Sequence, residues 1–392
     1  MLPVAVYVVV HYAEIGLKGR NRPRFEERLR ANLARSLRSL SEPRIRKLFG
    51  RILVQLPDHT DFEEVKRRIE KVFGVAYFSR VTLTRPELAE IEQAVDSYTK
   101  SRSFESFGVR VRRVEKTLPF TSNELERHLG QRIQQRTGAR VELSRPDLWI
   151  VLHLLSREAL LLHDRIPGPR GLPVGTAGQA LSLISGGIDS PVAAHQMLKR
   201  GCTLSYVHFH SHPFTSTASQ RKVRDLVAHL ARYQGPVHLY AVPFGELQQT
   251  LVREAPSDPR IVLYRRFMLR IAEALAEREE ARALVTGDSL GQVSSQTLGN
   301  LDTINRVATL PVLRPLVGLD KAEIVELAQH IGTFETSIEP DEDCCSYLMP
   351  SRPATWTRPD VIAAIERTLD VKGMVEASLA KVEQERIEPL DE

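Results

Sequence analysis

Between an apolar run of β type, Ala180-Leu181-Ser182-Leu183-Ile184, and the helically spaced segment Pro191–Arg200 lie six residues, Ser185-Gly186-Gly187-Ile188-Asp189-Ser190. A strand that turns straight into a helix through two adjacent glycines restricts this part of the chain to an α/β arrangement, and Gly201 stops the helix. The glycines let backbone N–H groups close around an anion. The hydroxyls of Ser185 and Ser190 add donors, and the helix N-terminus adds positive potential. The unit reads as a phosphate-binding turn. One alternative stays open at this point: a Gly-Gly turn before an ordinary helix, with Asp189 and Ser190 merely capping it.

The same alternation continues to the C-terminal side. Strands expected at 181–184, 204–209, 237–242 and 282–286 alternate with helices at 190–200, 219–232, 260–279 and 320–331, the pattern of a doubly wound parallel sheet. Such a sheet binds its ligand at the carboxyl ends of its strands. Ser185, His208-Phe209 and Gly287-Asp288 all fall there. The Pro/Gly-rich stretch Pro167–Pro173 cannot sustain an element and marks a linker, taken as 166–175. Before it, strands at 4–12, 51–56 and 76–83 with helices at 22–40 and 62–72 suggest a ferredoxin-like α+β unit. A second mixed unit follows, with helices at 86–101 and 122–136 and strands at 107–114, 140–143, 148–155 and 160–163. The domains are taken as 1–60, 61–165 and 176–392.

Residues 1–175 hold 32 Lys+Arg against 21 Asp+Glu, a net +11, whereas the remainder holds 22 against 28, a net −6. The basic half thus precedes the phosphate-binding turn, which suggests a polyanion held by one half and chemistry performed by the other. The abundance of arginine over lysine follows from genome composition as well, but the excess of bases over acids does not. No apolar run approaches a membrane span and the start lacks a basic leader, so a cytoplasmic protein is expected, with no membrane partner. Cys202, Cys344 and Cys345 are too few and wrongly spaced for a disulfide scaffold or a CxxC zinc site. They are candidates for chemistry.

A Walker A loop needs GxxxxGK[ST], and the turn has no such lysine. SGGxDS instead resembles the PP-loop of ATP pyrophosphatases, which cleave ATP between its α- and β-phosphates and adenylate a carbonyl oxygen. Three further segments extend the resemblance: Thr286-Gly287-Asp288-Ser289-Leu290-Gly291-Gln292-Val293-Ser294-Ser295-Gln296-Thr297, Leu313-Arg314-Pro315-Leu316-Val317-Gly318-Leu319-Asp320-Lys321, and Asp343-Cys344-Cys345. Together they resemble the tRNA 4-uridine sulfurtransferases (4-thiouridine synthetases, ThiI) along nearly the whole chain. Arg110–Ile150, with Phe120-Thr121-Ser122-Asn123-Glu124 and Pro146-Asp147-Leu148, looks like a THUMP domain, a module that binds the acceptor-stem end of tRNA.

The resemblance implies ATP-dependent replacement of the carbon-4 oxygen of a tRNA uridine, at position 8, by sulfur. It places ATP contacts at Leu183, Ile184, His208, Phe209, Arg265, Gly287 and Gln296, beside the loop residues Ser185, Gly186, Gly187, Asp189 and Ser190. ATP with Mg2+ is the implied cofactor pair, and no separate metal site is expected: the alternating His208, His210 and His212 offer zinc ligands from one element only. Asp189 either orients the loop, helps hold magnesium, or caps the helix. The resemblance gives the persulfide to Cys344, although Asp341, Glu342 and Asp343 disfavour a thiolate there. The longer members carry a C-terminal rhodanese domain with a second catalytic cysteine, which a chain ending at Glu392 has no room for. Cys345, Cys202 or an external thiol must then resolve the persulfide, and Cys202 reads rather as a buried small apolar residue. The implied partners are tRNA, a cysteine desulfurase, a thiazole-pathway (thiamine) sulfur carrier protein and a second copy of the chain in a homodimer. Two other functions stay open: a nucleotide-amidating synthetase, which needs neither the basic half nor the cysteine pair, and a non-catalytic tRNA-binding protein.

Overall fold

A computed structural model describes residues 5–48, 50–113, 120–340 and 348–390. Cys344 and Cys345, with the acidic residues before them, lie outside the described residues. The chain divides into two compact units, 1–171 and 172–392, and the division falls within the Pro/Gly-rich stretch.

In the first unit the elements are β1 (Ala5–His11), α1 (Arg22–Leu37), β2 (Arg44–Leu48), β3 (Arg51–Pro57), α2 (Phe62–Ile69), β4 (Tyr77–Thr84), α3 (Leu88–Lys100), β5 (Ser106–Arg113), α4 (Ser122–Thr137), β6 (Arg140–Val141), β7 (Leu148–Leu154), β8 (Ala159–Leu162) and β9 (Ile166–Pro167). The strands form one sheet in the order β2-β3-β1-β4-β8-β7-β5-β6, with β9 paired to β4. Alternation along the strands sends Val6, Val8, Val10, Ile52 and Val54 to one face, where they meet Leu29, Leu33 and Leu37 of α1 and Val65 and Ile69 of α2. Phe78 closes the same core. The boundary expected at residue 60 therefore falls inside a core, between β3 and the helix that covers it. Farther along this face, Val109, Val111, Ile150 and Leu152 meet α3 and α4 in a second core. Helix α4 is fixed at both ends, by a reciprocal Thr121–Glu124 capping box and by Gly138 at φ 72°.

The other face of this sheet carries no helix among the described residues. Three strands separate β3 from β7, about 19 Å in a flat sheet at the usual strand spacing. Yet Arg51 of β3 donates to Nδ1 of His153 on β7, and Arg46 of β2 pairs with Glu158 beyond β7. The sheet is curled, and its concave side closes over Tyr7, Val9, Leu53, Val81, Leu155, Leu160 and Leu162.

The second unit holds β10 (Gly178–Leu183), α5 (Asp189–Lys199), β11 (Cys202–His210), α6 (Ala218–Ala231), β12 (Val237–Pro243), α7 (Gly245–Glu254), α8 (Arg260–Arg278), β13 (Leu284–Val285), α9 (Leu298–Asn305), β14 (Val312–Leu313), α10 (Lys321–Ile331), α11 (Phe334–Ile338), α12 (Pro359–Glu366), α13 (Val371–Leu379) and β15 (Glu383–Ile387). The sheet order is β14-β13-β10-β11-β12-β15; all neighbours are parallel except β15, which adds an antiparallel edge to β12. The chain runs outward from β10 to β12, then returns to the other side of β10 to place β13. That reversal makes the carboxyl ends of β10 and β13 the switch point where a doubly wound sheet opens its crevice. Helix α8 packs Tyr264, Phe267, Ile271 and Leu275 beneath it.

Candidate nucleotide site

A cleft opens at that switch point, lined by Leu183, Ile184, Ser185, Asp189, Ser190, His208, Phe209, Arg265, Met268, Leu269, Thr286, Gly287, Asp288, Gln296, Ile304 and Arg314. Most of the ATP contacts expected from the sequence converge here from five segments of the chain. Gly186 and Gly187 belong to the turn but are not among the lining residues.

The turn is held by Ser190, whose hydroxyl accepts from the Ser185 amide at 2.9 Å and lies 3.2 Å from both the Ser185 hydroxyl and carbonyl. Its oxygen is thus engaged within the loop. The backbone of Gly287 comes so close to the start of α5 that an added Cβ would lie 2.8 Å from the Ser190 nitrogen. This glycine serves protein-to-protein approach, not only approach to a nucleotide. Asp189 is the first helical residue, and Ile188 occupies the capping position without a side-chain cap. The Asp189 carboxylate instead accepts from Lys321 Nζ at 2.6 Å and Gln292 Nε2 at 3.0 Å, both in the segments carrying the resemblance.

One residue organises the polar end, and the sequence reading did not select it as a site residue. Asp288, only 2% exposed, receives Arg265 on one oxygen and, on the other, Arg314 Nε at 3.1 Å and the Thr286 hydroxyl at 2.7 Å. Gln296 Nε2 stands 3.3 Å away. Burial by itself pushes the Asp288 carboxyl up, but Arg265, Thr286 and Arg314 outweigh it and hold it below the usual carboxylate range. The two guanidinium groups are thereby fixed at the cleft wall, where they concentrate positive charge suited to phosphate oxygens. Two signals for this were in the sequence: Asp288 adjoins Gly287 directly after a strand, and Arg314 directly follows another.

The apolar end consists of Leu183, Ile184, Phe209, Met268, Leu269 and Ile304, a wall suited to a planar base. His208 is buried and its Nδ1 donates to the Ile184 carbonyl at 3.1 Å, while the Ile184 amide donates to Val207. Both residues lie at the end of β11 and β10, and β11 runs on to His210, past the expected end. The rings of His208 and His210 share a face 6.3 Å apart. Cys202 begins β11 at the opposite edge of the sheet, about 20 Å from His208 at the usual rise per strand residue. It is buried, and burial pushes its thiol up.

A parallel sheet with a lysine-free SGGxDS turn at its switch point, faced by fixed guanidinium groups and an apolar wall, defines a PP-loop nucleotide-binding protein. The chain matches the Thiamine biosynthesis protein (ThiI) family over residues 175–371, the ThiI ferredoxin-like domain over 7–79 and the THUMP domain over 85–164. It is 45% identical to a probable tRNA sulfurtransferase of Moorella thermoacetica, covering 97% of this chain and 98% of that one, and 44% identical to one of Thermus thermophilus, covering 95% and 91%. A solved 4-thiouridine synthetase–RNA complex with bound ATP superposes with a TM-score of 0.90 at 35% identity, over 98% of this chain and all of that one. The chain belongs to the ThiI family of tRNA sulfurtransferases. Among the described residues, no helix is long and apolar enough to cross a membrane.

Proposed function

We propose that this chain is an ATP-dependent tRNA uridine 4-sulfurtransferase, and that the cleft at the β10–β13 switch point binds ATP. The observation that carries the reading is the convergence of the SGGxDS turn, the Asp288-fixed pair Arg265 and Arg314, and an apolar wall in one crevice. The carbon-4 oxygen of uracil is amide-like and a poor leaving group. Its attack on the α-phosphorus expels pyrophosphate and converts it into an adenylate. The turn's N–H groups and the start of α5 hold the phosphates, and the arginines stabilise the charge that develops as pyrophosphate departs. Leu183, Ile184, His208, Phe209, Gly287 and Gln296 place the adenosine.

Magnesium, when bound with ATP, neutralises phosphate charge. Of the two carboxylates lining the cleft, Asp288 is committed to two arginines. Asp189, beside the turn, is the oxygen donor that fits the ion, and Lys321 is the group it would leave.

Sulfur arrives as a persulfide on Cys344, loaded by a cysteine desulfurase. Its terminal sulfur attacks carbon 4 and AMP leaves. Cys345 or an external thiol then attacks the Cys344 sulfur, releasing 4-thiouridine and forming a disulfide that two electrons from a thiol must reduce. The same persulfide can serve a thiazole-pathway sulfur carrier protein, and the chain acts as a homodimer in the cytoplasm. Incubation with tRNA, ATP, magnesium, desulfurase and cysteine, followed by nucleoside mass spectrometry, tests the reading. The expected result is 4-thiouridine at position 8 with stoichiometric AMP. Pyrophosphate release without a thiolated nucleoside would overturn it.

A further inference from the structure

The chain runs from α11 into the segment that bears Cys344 and Cys345 and reaches its next helix, α12, only at Pro359. On the near side Glu339 closes α11, and its carbonyl accepts from Nζ of Lys222 on α6 at 2.6 Å. Lys222 is only 4% exposed. A lysine is almost never buried so deeply without a fixed partner, and a helix C-terminus is the end that favours a cation. The bond falls five residues ahead of Cys344 and two ahead of the acidic run Asp341-Glu342-Asp343. Helix α11 packs on α6, and α10 before it packs on α5, the helix that starts at the phosphate-binding turn.

On the far side, residues 348–358 form neither helix nor strand, yet their path is fixed to the cleft. Asn300 of α9, fully buried, uses its whole amide: Nδ2 donates to the carbonyls of Ala354 at 2.9 Å and Ser294 at 2.7 Å, and Oδ1 accepts from the Thr357 hydroxyl at 2.8 Å. Thr297, which caps α9, donates to the Thr355 carbonyl at 2.7 Å, and Thr303 donates to that of Thr357 at 3.1 Å. The ring of Trp356 lies over Gly299 so closely that an added Cβ would come within 2.6 Å of it. Ser294 opens the short turn that ends in Gln296, and α9 carries Ile304. Gln296 and Ile304 both line the cleft. One amide thus joins the cleft wall to the arm that follows the cysteines.

We propose that Lys222 and Asn300 are positioning residues for sulfur delivery, mooring the two ends of the cysteine-bearing segment to the frame of the nucleotide cleft. The inference rests on the sulfurtransferase reading above. In that reading the persulfide sulfur must reach carbon 4 while that carbon is joined through oxygen to AMP, and the cleft holds the adenylate. Nucleophile and electrophile then sit on different parts of the chain, and a misplacement of about 1 Å costs about 100-fold in rate. A satisfied buried polar network specifies one arrangement, where apolar packing would tolerate several. Neither residue lines the cleft, so each acts on the chemistry only through the segment it holds.

The test compares two sulfur sources on the full chain with tRNA, ATP and magnesium. Concentrated hydrosulfide attacks carbon 4 of the adenylate directly: the C–S bond forms, the C–O bond breaks, AMP leaves with that oxygen, and a proton is lost to give 4-thiouridine without any cysteine. Enzyme loaded with persulfide by a desulfurase, then separated from it, reads the other route in a single turnover. Lys222→Met and Asn300→Ala should each slow the single-turnover transfer by about 10- to 100-fold. Persulfide loading, followed by mass spectrometry, and thiolation with hydrosulfide should stay near wild type. Thr357→Val removes one bond to Asn300 and keeps the side chain's shape; it should slow the transfer by a smaller factor, and it decides the matter if Asn300→Ala does not fold. Equal losses with both sulfur sources would overturn the proposal and make these residues supports of the ATP site. Loss of persulfide loading would overturn it in favour of docking of the donor, and wild-type transfer would overturn it outright. Absence of 4-thiouridine from the wild type with either source would instead sink the functional reading.

Discussion

The two units treat buried charge in opposite ways. In the nucleotide-binding unit both arginines that line the cleft have an acid, Arg265 and Arg314 sharing Asp288, and behind them Arg266 and Arg270 share Glu366. In the first unit, Arg51, Arg112 and Arg165 crowd two neutral histidines, His11 and His153, with no ion pair among the described residues. A catalytic cleft must hold its cations at fixed positions before the substrate arrives, because reorganisation during the reaction would forfeit the electrostatic gain. Internal carboxylates provide that fixity. A surface that meets a polyanion gains from leaving its cations uncompensated, since the substrate brings the counter-charge and releases its own ions.

If this division is right, damage to the cleft should spare RNA binding, and the largest effect should come from Asp189. Asp189→Ala frees Lys321 and Gln292 from the loop and removes the carboxylate beside the phosphates. ATP-dependent thiolation should fall by about 100-fold or more, with tRNA affinity unchanged. Parallel measurement of nucleoside thiolation and tRNA Kd checks this, and an equal loss of both would break the comparison.

Next in size is the compensated pair behind the cleft. Glu366 is buried; burial by itself raises its carboxyl, but its bonds to Arg266 and Arg270 hold it down to about 2 from an ordinary 4.5. A depressed carboxyl contributes stability that is present above the unfolded value and is lost as pH falls through the folded one. The contribution is therefore full above about pH 4.5, declines toward pH 2, and amounts to about 3 kcal/mol. Glu366→Gln should lower stability at pH 7 by about that amount and flatten the acid limb of the stability profile. Urea denaturation at a series of pH values reads both. An unchanged acid limb would show that the pair is not a stabilising link between α8 and α12.

A smaller effect separates two glycines that look alike in the sequence. At Gly187 a Cβ meets only the Ser185 hydroxyl, at the ordinary distance of 3.6 Å, so Gly187→Ala should fold like the wild type and lose activity alone. At Gly287 the backbone of Ser190 stands in the way. Gly287→Ala should cost about 1–3 kcal/mol of stability and displace the start of α5. Thermal melting of the two variants tells them apart, and equal melting temperatures would contradict the close approach of β13's end to the turn.

The same contrast explains what was legible in the sequence. The SGGIDS turn was readable because its local chemistry requires glycines between a strand and a helix, and its place at the switch point followed from the alternation around it. Asp288 and Arg314 were not assigned because their roles arise from pairing across segments 26 residues apart in the chain. Strand β2, Arg-Ile-Arg-Lys-Leu, and strand β15, Glu-Gln-Glu-Arg-Ile, escaped notice for another reason. Each is an edge strand, where charged residues guard the open ladder and erase the apolar signal of a strand. The continuous curled sheet of the first unit was hidden too. Its expected boundary at 60 came from element order, whereas the core that runs through Phe78 depends on which helix covers which strands.

The smallest expected effect concerns the cysteine that remains within the described residues. Cys202 was a candidate to resolve a persulfide, along with Cys345. Its position opposes that role on three counts: it is buried, burial disfavours its thiolate, and it starts β11, whereas the cleft opens at the other end. Thiol exchange needs a thiolate and access. Cys202→Ala should therefore leave multiple-turnover thiolation with desulfurase as sulfur source essentially unchanged, apart from a stability loss of about 1 kcal/mol for the methylene-sized void. Cys345→Ser, under the same conditions without added thiol, should stop after about one turnover if Cys345 resolves the persulfide as proposed. Loss of turnover in Cys202→Ala, with its melting temperature near that of the wild type, would mean that the edge of the sheet opposite the cleft takes part in sulfur transfer.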